Sequence, residues 1–489
     1  MPSLQVLLAA AWASTRLATV SPVPDYTTSE AGNPFVDGWY ADPDTQFYNG
    51  EYWVYPTSSK PYDEQTYLDA FSSPDLIHWT KHPNVLVAND FEWAHRAVWA
   101  PAPIERNGTY YLYFGANDIQ SDSEVGGIGV GVAKRPEGPY KDPLGHPLID
   151  AYHNGAQPID QDVFIDDDGQ AYIYYGGHSH ANVAKLNRDM VSLSKFDDGS
   201  TFKEITPENY VEGPQMLKRK GRYYLFWSEG GWGGPDYAVS YGMAKSPTGP
   251  FKRIAKILQQ DVAVATGSGH NAIIHVPDTD IYYMLYHRHP LHATDGNDRH
   301  LAYDRLYFND DGTIQPVNML VHDDFKDGQL FNWNLFGGKW DTSSNSLHAG
   351  SSPGGKALLN TDFTDFIYEA DITIPSSGDG NAGLIFRVSE PAVGPDAYRG
   401  YYAGISSTGD LILGRADGGQ WTFLSGLSIN VRMGQKTHLV VTAKGDLISV
   451  AVDGVRATVR DDTYKNGMDG VRVYNTEAFF DNVNVTHYK

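Results

Sequence analysis

Three carboxylates and a histidine stand at matching places in a repeated hairpin pattern. Asp42 lies in WYADPDTQF, Asp160 in PIDQDVFIDDDG and Glu212 in VEGPQMLK. Each precedes, by about ten to twelve positions, a tyrosine that follows a turn. His270, in GSGHNAII, holds the corresponding place in another hairpin. Four titratable side chains, far apart in the chain, therefore share one position of a repeat.

Carboxylates that converge in a partly apolar pocket can divide the work of proton transfer. Repulsion and burial both disfavour the charged form, so one carboxyl keeps its proton near neutral pH while another is ionised. Glycoside hydrolysis needs this pair: an acid protonates the departing oxygen, and a base activates water from the opposite side. Aromatic residues near these carboxylates are predicted to pack against the apolar face of a sugar ring: Trp39, Tyr40, Trp99 and Trp232.

Five aromatic strands, each just after a turn, indicate the elements that position these groups. They read NGEYWVYPTSS, NGTYYLYFGAN, DGQAYIYYGGH, KGRYYLFWSEG and DTDIYYMLYHRH. Their spacing of roughly 50 to 60 residues suits a four-stranded propeller blade with its loops. A five-bladed β-propeller over residues 30–320 would bring the starts of its innermost strands together at one end of the axis, and the four titratable groups with them.

The repeat of turns and aromatic strands ends near residues 317–325. Beyond it, alternating strands such as DFIYEADITI, THLVVTAK and LISVAVDGVRATV are separated by Gly, Asn, Asp and Ser turns. Alternation of this kind predicts two sheets around a shared core. The fold class is therefore all-β, a propeller followed by a β-sandwich over residues 321–489. The sandwich either binds glycan or braces the propeller, and the sequence leaves both open.

Composition narrows the classes of partner. The net charge of −23 argues against nucleic acid and anionic membranes, so a neutral partner and a monomer are expected. The chain has no cysteine, which excludes disulfides and thiolate metal sites. An apolar run at residues 4–11, followed by small residues, predicts a signal peptide over residues 1–22 and hence secretion. No later segment has the ~20 apolar residues that a membrane span needs.

At these motifs the sequence resembles glycoside hydrolase family 43. The resemblance covers residues 33–318 and rests on NPFVDGWYADPD, VWAP, IDQDVFIDDDGQAYIYYGG, EGPQMLKRKGRYYLFWS and GSGHNAII. It implies a five-bladed propeller that acts on arabinan, arabinoxylan or xylan of the plant cell wall. Hydrolysis would invert the anomeric centre, with the acid and base roughly 6.5–9.5 Å apart. The C-terminal part resembles a concanavalin-type jelly roll.

The resemblance also implies roles for individual residues. Asp42 matches the general base, Glu212 the general acid, and Asp160 the carboxylate that raises the pKa of the acid and orients it. His270 matches an axial histidine that holds a calcium ion or ordered water, and no other cofactor is implied. Arg288, in YHRHP, matches an arginine that steadies the sugar and the acid.

One departure from the family pattern leaves the third carboxylate open to competition. Gln161 stands where a proline is usual after Asp160, and Asp162 follows. Residues two apart on a strand face the same side, so alternation cannot separate Asp160 from Asp162. We favour Asp160 because it holds the motif position and lies nearer the mouth of the strand.

Several functions compete at this stage. Family 32 fructan hydrolases share the architecture, but their Arg-Asp-Pro and Glu-Cys motifs are missing here. A silent sugar-binding propeller is disfavoured because all three acids are present. Long polar segments at residues 58–69, 120–127 and 287–299 predict a pocket closed at one end. We therefore expect an exo-acting α-L-arabinofuranosidase, followed by a β-D-xylosidase and then an endo-arabinanase.

Overall fold

The computed structural model describes residues 32–350 and 354–489. The predicted signal peptide, residues 1–22, lies outside this part of the chain, and secretion stays a prediction. The described residues form β-strands and two single-turn 3-10 helices, Tyr62–Glu64 and Ala88–Asp90. No helix in them is long and apolar enough to cross a membrane. The predicted all-β class is confirmed.

The first half of the chain is a five-bladed propeller of antiparallel sheets. The strands of blades 1 and 2 are Tyr40–Tyr48 (β1), Glu51–Ser58 (β2), Tyr67–Ser73 (β3), Thr80–Val87 (β4), Trp99–Arg106 (β5), Thr109–Ala116 (β6) and Gly127–Ala133 (β7). Those of blade 3 are Asp162–Ile165 (β8), Ala171–Tyr175 (β9), Asn182–Leu186 (β10), Leu193–Ser194 (β11) and Phe202–Glu204 (β12). Those of blades 4 and 5 are Glu212–Arg219 (β13), Arg222–Glu229 (β14), Ala238–Ala244 (β15), Lys252–Leu258 (β16), Ala265–His275 (β17), Tyr282–Pro290 (β18) and His300–Leu306 (β19).

The second strand of each blade explains the aromatic repeat. In blade 3, all five residues of β9 are buried, because both faces of a blade pack against its neighbours. The predicted four-stranded blade is found in blades 1 and 4, whereas blades 2 and 5 have three strands in the described part of the chain. After β7, residues 134–150 pair only through isolated bridges, since prolines there remove backbone donors.

The first strands of the blades form the inner ring. β1 contacts β5 and β17, β8 contacts β5 and β13, and β13 contacts β17, so the ring closes between blades 5 and 1. The backbone N–H of Tyr40 also donates to the carbonyl of Arg299 at 2.8 Å across this closure. Residues at the start of each inner strand consequently face a common axis.

The C-terminal half is a sandwich of two antiparallel sheets. The larger sheet contains Val321–Asp323 (β20), Trp340–Thr342 (β22), Leu347–Ala349 (β23), Phe366–Thr373 (β25), Thr437–Lys444 (β30), Leu447–Val452 (β31), Val455–Arg460 (β32) and Ala478–His487 (β34). The smaller contains Trp333–Gly337 (β21), Gly355–Leu359 (β24), Asn381–Ser389 (β26), Arg399–Ser406 (β27), Asp410–Asp417 (β28), Trp421–Ser428 (β29) and Met468–Tyr474 (β33). Alternation builds the core: in β25, every second residue is buried.

The sandwich packs directly on blades 4 and 5. One continuous apolar cluster includes Ile257 and Val264 of the propeller together with Phe363 of the sandwich. Polar contacts add to it, since the backbone N–H of Asp362 donates to the carbonyl of Ala263 at 2.9 Å. Two domains that share a core hold each other in a fixed orientation.

Candidate active site

A pocket with a volume of about 240 Å³ opens at the end of the propeller axis. Asp42, Asp160, Glu212 and His270, predicted from the sequence to converge, all line it. The remaining lining residues are Tyr62, Gln65, Trp99, Asp118, Gln120, Gln157, Ile159, His178, Trp232 and Arg299. The three polar segments expected to wall one end each contribute a side chain to this set.

A left-handed residue near the start of each inner strand turns the chain into the pocket. The five residues are Asp42, Ala100, Asp160, Gly213 and His270, with φ between 41° and 63°. Residues other than glycine seldom adopt this conformation, and such strain concentrates at functional sites. Four of the five inner strands carry register shifts at these points, as between Ala41 and Asp44, and β8 has none.

This alignment corrects the position of the glutamate in the repeat. The left-handed residue of blade 4 is Gly213, so Glu212 stands one position earlier than Asp42 and Asp160. Glu212 therefore corresponds to Trp99 of blade 2, which precedes the left-handed Ala100. The register shifts of blades 1 and 4 coincide, between Ala41 and Asp44 and between Glu212 and Gln215, and they place Glu212 level with Ala41. Relative to the left-handed residue of its strand, Glu212 therefore enters the pocket from one position earlier than Asp42 and Asp160 do.

Asp42 is held as an anion by its surroundings. Burial would raise its pKa, but Arg299, His270 and His287 outweigh that effect, and the pKa lies well below the usual range for aspartate. Arg299 Nη1 lies 3.1 Å from Asp42 Oδ1. Burial lowers the pKa of His287 to about 3 and also lowers that of His270, so both rings are neutral near pH 7. The permanent positive charge beside Asp42 therefore belongs to Arg299.

The pKa values of Glu212 and Asp160 are raised, in contrast to that of Asp42. Burial raises the pKa of Glu212 to about 7, and the charge of Asp42 acts in the same direction. Burial, with repulsion from Glu212 and Asp42, raises the pKa of Asp160 well above its usual value. Carboxyl groups in one pocket whose pKa values are driven apart form an acid and base pair. These pKa shifts favour a protonated Glu212 up to about neutral pH and an ionised Asp42.

Tyr237 orients the glutamate. Its hydroxyl donates to Glu212 Oε1 at 2.8 Å, and its ring stacks on His287 with centroids 5.5 Å apart. Gly269 makes room for this ring, because a Cβ at that position would lie 2.2 Å from Tyr237 Cδ1. The tyrosine thus joins the side of the pocket that holds Asp42 to the side that holds Glu212.

The structure separates Asp160 from Asp162. Asp160 lines the pocket, whereas Asp162 accepts a hydrogen bond from the backbone N–H of Met216 at 2.6 Å. The charge of Asp162 also acts on half-buried Asp44, which does not line the pocket. Alternation failed to distinguish the two because Asp160 is left-handed and precedes β8, which begins at Asp162.

Two of the predicted aromatic contacts lie in the pocket. Trp99 Nε1 donates to Gln65 Oε1, and Tyr62 packs edge-on against the Trp99 ring with centroids 4.8 Å apart. The Trp232 ring stacks on the guanidinium of Arg299 at 4.8 Å. Both indoles are therefore held in place by neighbouring side chains.

The other predicted substrate contacts lie elsewhere. Tyr40 is buried inside blade 1, where its hydroxyl donates to Asp69 Oδ2 at 2.8 Å. Trp39 and Arg288 line a separate cavity that reaches the sandwich. Strand alternation explains why Arg288 lies outside the catalytic pocket. Its neighbour on β18, His287, faces Asp42, so the Arg288 side chain points to the opposite side of the strand.

Two family models match the chain. The model for glycosyl hydrolases family 43 matches residues 31–314, which is more than half of the sequence. The chain belongs to glycoside hydrolase family 43. A second model, described as a 3-keto-α-glucoside-1,2-lyase-like domain, matches residues 322–486. The resemblance that the motifs indicated is confirmed, and the protein is a glycosidase.

Relatives of this family 43 hydrolase carry different activity names. A β-D-galactofuranosidase from Aspergillus niger is 48% identical over 310 residues, 60% of this chain and 87% of that protein. A xylosidase/arabinosidase from Humicola insolens is 27% identical over 343 residues, 58% of this chain and 98% of that protein. A solved β-xylosidase/α-arabinofuranosidase from a compost microbial metagenome, with xylotriose and calcium-free, has a TM-score of 0.50 at 25% identity and covers 59% of this chain and 97% of that one. The relatives share the family and differ in the sugar named.

The main functional residue that sequence reasoning missed in the family 43 hydrolase is Arg299. It directly precedes β19, and its Nε also donates to Ser59 Oγ at 2.9 Å. The sequence signal was indirect, since Arg299 ends the polar segment 287–299 that was expected to wall the pocket. Tyr237, which directly precedes β15, was also missed, because nothing in its motif distinguishes it from the other tyrosines of the chain.

The described side chains do not form a calcium shell around His270. Ca²⁺ takes six to eight oxygen ligands, and residues 32–350 and 354–489 contain no group of three or more His, Asp or Glu side chains arranged for a metal. His270 Nδ1 instead lies 3.5 Å from Asp42 Oδ1. An axial ion or water at His270 stays a prediction.

Proposed function

We propose that this hydrolase removes a single terminal α-L-arabinofuranose residue from arabinan or arabinoxylan with inversion. The observation that supports it is the presence in one small pocket of two carboxyl groups with opposite shifts, the pKa of Asp42 lowered and that of Glu212 raised to about 7. The volume of about 240 Å³ lies below the range of drug-sized ligand pockets, which suits one sugar rather than a chain.

The reaction follows from the protonation states. Glu212 donates its proton to the glycosidic oxygen as the bond from that oxygen to the anomeric carbon breaks. Water attacks the same carbon from the opposite face and gives a proton to Asp42. Asp160 lines the same pocket and holds its proton while Glu212 becomes charged, because burial and repulsion from Glu212 and Asp42 raise the pKa of Asp160. Proton exchange with solvent then restores both carboxyl groups.

Polar groups around the acids are placed to bind sugar hydroxyls. Gln157 Nε2 donates to Asp118 Oδ1 at 3.1 Å, and Gln65 accepts from the Trp99 indole, so the side chains are already oriented. The Trp99 and Trp232 rings offer apolar surface for the carbon face of the ring. A short, polar, aromatic-walled pocket favours terminal over internal cleavage.

A second candidate substrate is a terminal β-D-galactofuranoside. It is favoured by the 48% identity to the Aspergillus niger protein of that name. The two furanosides have the same ring configuration and differ in the substituent beyond C4, so one catalytic arrangement serves both. The preference between the two furanosides would depend on the space that the pocket wall leaves for the substituent beyond C4, and not on the carboxyl groups.

Three aryl glycosides test the proposal. Initial rates on the 4-nitrophenyl α-L-arabinofuranoside, β-D-galactofuranoside and β-D-xylopyranoside are compared at one pH, with Asp42→Asn protein as the control for contaminating activity. A kcat/KM highest for the arabinofuranoside supports the first candidate, and one highest for the galactofuranoside supports the second. Preference for the xyloside contradicts a furanose-specific pocket, and rapid internal cleavage of linear arabinan contradicts terminal action.

A further inference from the structure

A second groove lies on the sandwich domain. It has a volume of about 360 Å³ and lies on the smaller sheet. It is lined by Asn381, Asp396, Tyr402, Ile412, Trp421, Phe423, Arg472 and Tyr474. None of these residues lines the catalytic pocket, so the groove is a separate site on a separate domain.

The groove lies on the outer face of the sheet. On β27, Tyr401 and Ala403 belong to the core between the two sheets, whereas Tyr402, between them in sequence, lines the groove. Glycine makes its floor: a Cβ at Gly414 would lie 2.2 Å from Trp421 Cζ2, so the indole lies directly over the backbone. The alternation therefore presents an aromatic surface to solvent.

The aromatic side chains of the groove are unusually open. Trp421 is 40% exposed, Phe423 62% and Tyr474 43%. Large apolar side chains grouped on a surface mark a binding site more often than isolated ones do. In addition, the buried Tyr402 ring lies beneath them, with the Arg472 guanidinium 4.7 Å from its centroid. The groove thus combines exposed rings with a rigid aromatic base.

The charge at the groove floor is balanced. Arg472 lies 4.7 Å from the Tyr402 ring centroid and 5.6 Å from that of Tyr474. Its Nη2 is 2.6 Å from Asp396 Oδ1, and its Nη1 donates to Asn381. A paired arginine contributes a flat surface and hydrogen-bonding groups without net charge. Such a floor favours a neutral, hydroxyl-rich ligand over an anion.

We propose that this groove binds a segment of neutral polysaccharide, the backbone on which the propeller acts. Sugar rings would place their C–H faces on Trp421, Phe423 and Tyr474, with hydroxyls toward Asn381 and Asp396. The sandwich would then keep the enzyme on its polymer while terminal residues are removed. The proposal does not depend on which terminal sugar the catalytic pocket takes.

Binding is measured without turnover in an Asp42→Asn background. Affinity gel electrophoresis uses soluble wheat arabinoxylan, sugar-beet arabinan and a galactofuranose-bearing galactomannan as probes. Phe423→Ala and Trp421→Ala are compared with Tyr488→Ala, which removes an exposed aromatic of the same domain outside the groove. Thermal melting checks that each variant folds. If Trp421→Ala does not fold, Phe423→Ala alone tests the groove.

The proposal predicts that at least one polysaccharide retards the parent protein. Both groove variants should bind it about tenfold more weakly, because truncating an anchoring aromatic costs more than ~1 kcal/mol. Tyr488→Ala should bind as the parent does. In the active background, turnover of a small aryl glycoside should be unchanged by the groove variants. Unaltered retardation of folded Phe423→Ala, or no retardation of the parent by any probe, overturns the proposal. A change from dimer to monomer in sedimentation, with glycan binding intact, assigns the face to self-association and overturns it too.

Discussion

Arg299 Nη1 lies 3.1 Å from Asp42 Oδ1, and this contact sets the protonation of the pocket. Asp42 comes from the first strand of blade 1 and Arg299 from the start of the last strand of blade 5, so closure of the propeller brings them together. Without the guanidinium, burial would favour a protonated aspartate, which cannot activate water. The ring closure of the fold is therefore also the step that completes the base.

Replacing Arg299 by methionine should weaken the base. The pKa of Asp42 should rise, so the acidic limb in the profile of kcat/KM against pH should move to higher pH than in the parent. At neutral pH, kcat/KM should fall by about 100-fold or more. Arg288→Met is the matched control, because Arg288 lies in the cavity beside the sandwich and does not line the catalytic pocket. An Arg299→Met profile with the acidic limb of the parent would remove Arg299 from this role.

Glu212→Gln should separate substrates by their leaving groups. The amide cannot donate a proton to the glycosidic oxygen, so natural oligosaccharides should slow by about 1,000-fold, within the range seen for loss of general acid catalysis. Aryl glycosides with acidic phenols need little protonation and should lose far less. Rates on arabino-oligosaccharides and on a series of substituted phenyl glycosides check this. Equal losses on both classes would show that Glu212 is not the acid.

The alkaline side of the pH profile should report Glu212. Its pKa is raised to about 7, and only the protonated form is the acid, so kcat/KM should be highest below pH 7 and fall about tenfold per unit above it. Asp42, with its lowered pKa, stays ionised through the same range. In Glu212→Gln, assayed on an activated aryl glycoside, the alkaline limb should disappear. A limb that persists unchanged must belong to another group.

The variants Asp160→Asn and Asp162→Asn should differ in their effect on kcat. Asp160 lines the pocket, and the charges of Glu212 and Asp42 act on it, so its replacement should disturb the protonation of the carboxyl groups and reduce kcat by about 100-fold. Asp162 lies outside the pocket lining, and an asparagine oxygen there can still accept from the Met216 N–H. Its kcat should remain within a few-fold of the parent. Similar losses in both variants would contradict the assignment of Asp160.

Much of the architecture could be predicted because it repeats. Turn-and-aromatic-strand units gave five blades, and alternation in segments such as DFIYEADITI gave the sandwich. The convergence of Asp42, Asp160 and His270 followed from their place in the repeat. These features are local patterns that each unit carries in its own sequence.

The errors arose where one residue changes which way a side chain points. Glu212 lies one position before the left-handed residue of its strand, a difference too small for counting back from a turn to resolve. Alternation turned Arg288 away while His287 faced Asp42. Arg299 could not be singled out, because its partner lies 257 residues away. The sandwich groove was missed for the same reason: Trp421 and Tyr474 lie on separate strands that only the folded sheet brings together.

The stereochemistry of the first product tests the central account most directly. Proton NMR during the first minutes of hydrolysis of the best aryl glycoside shows which anomer is released before mutarotation. With Asp42 as base and Glu212 as acid, water displaces the leaving group in one step, so the first sugar should have the inverted configuration. A first product of retained configuration would require a covalent intermediate and would contradict the roles assigned to Asp42 and Glu212.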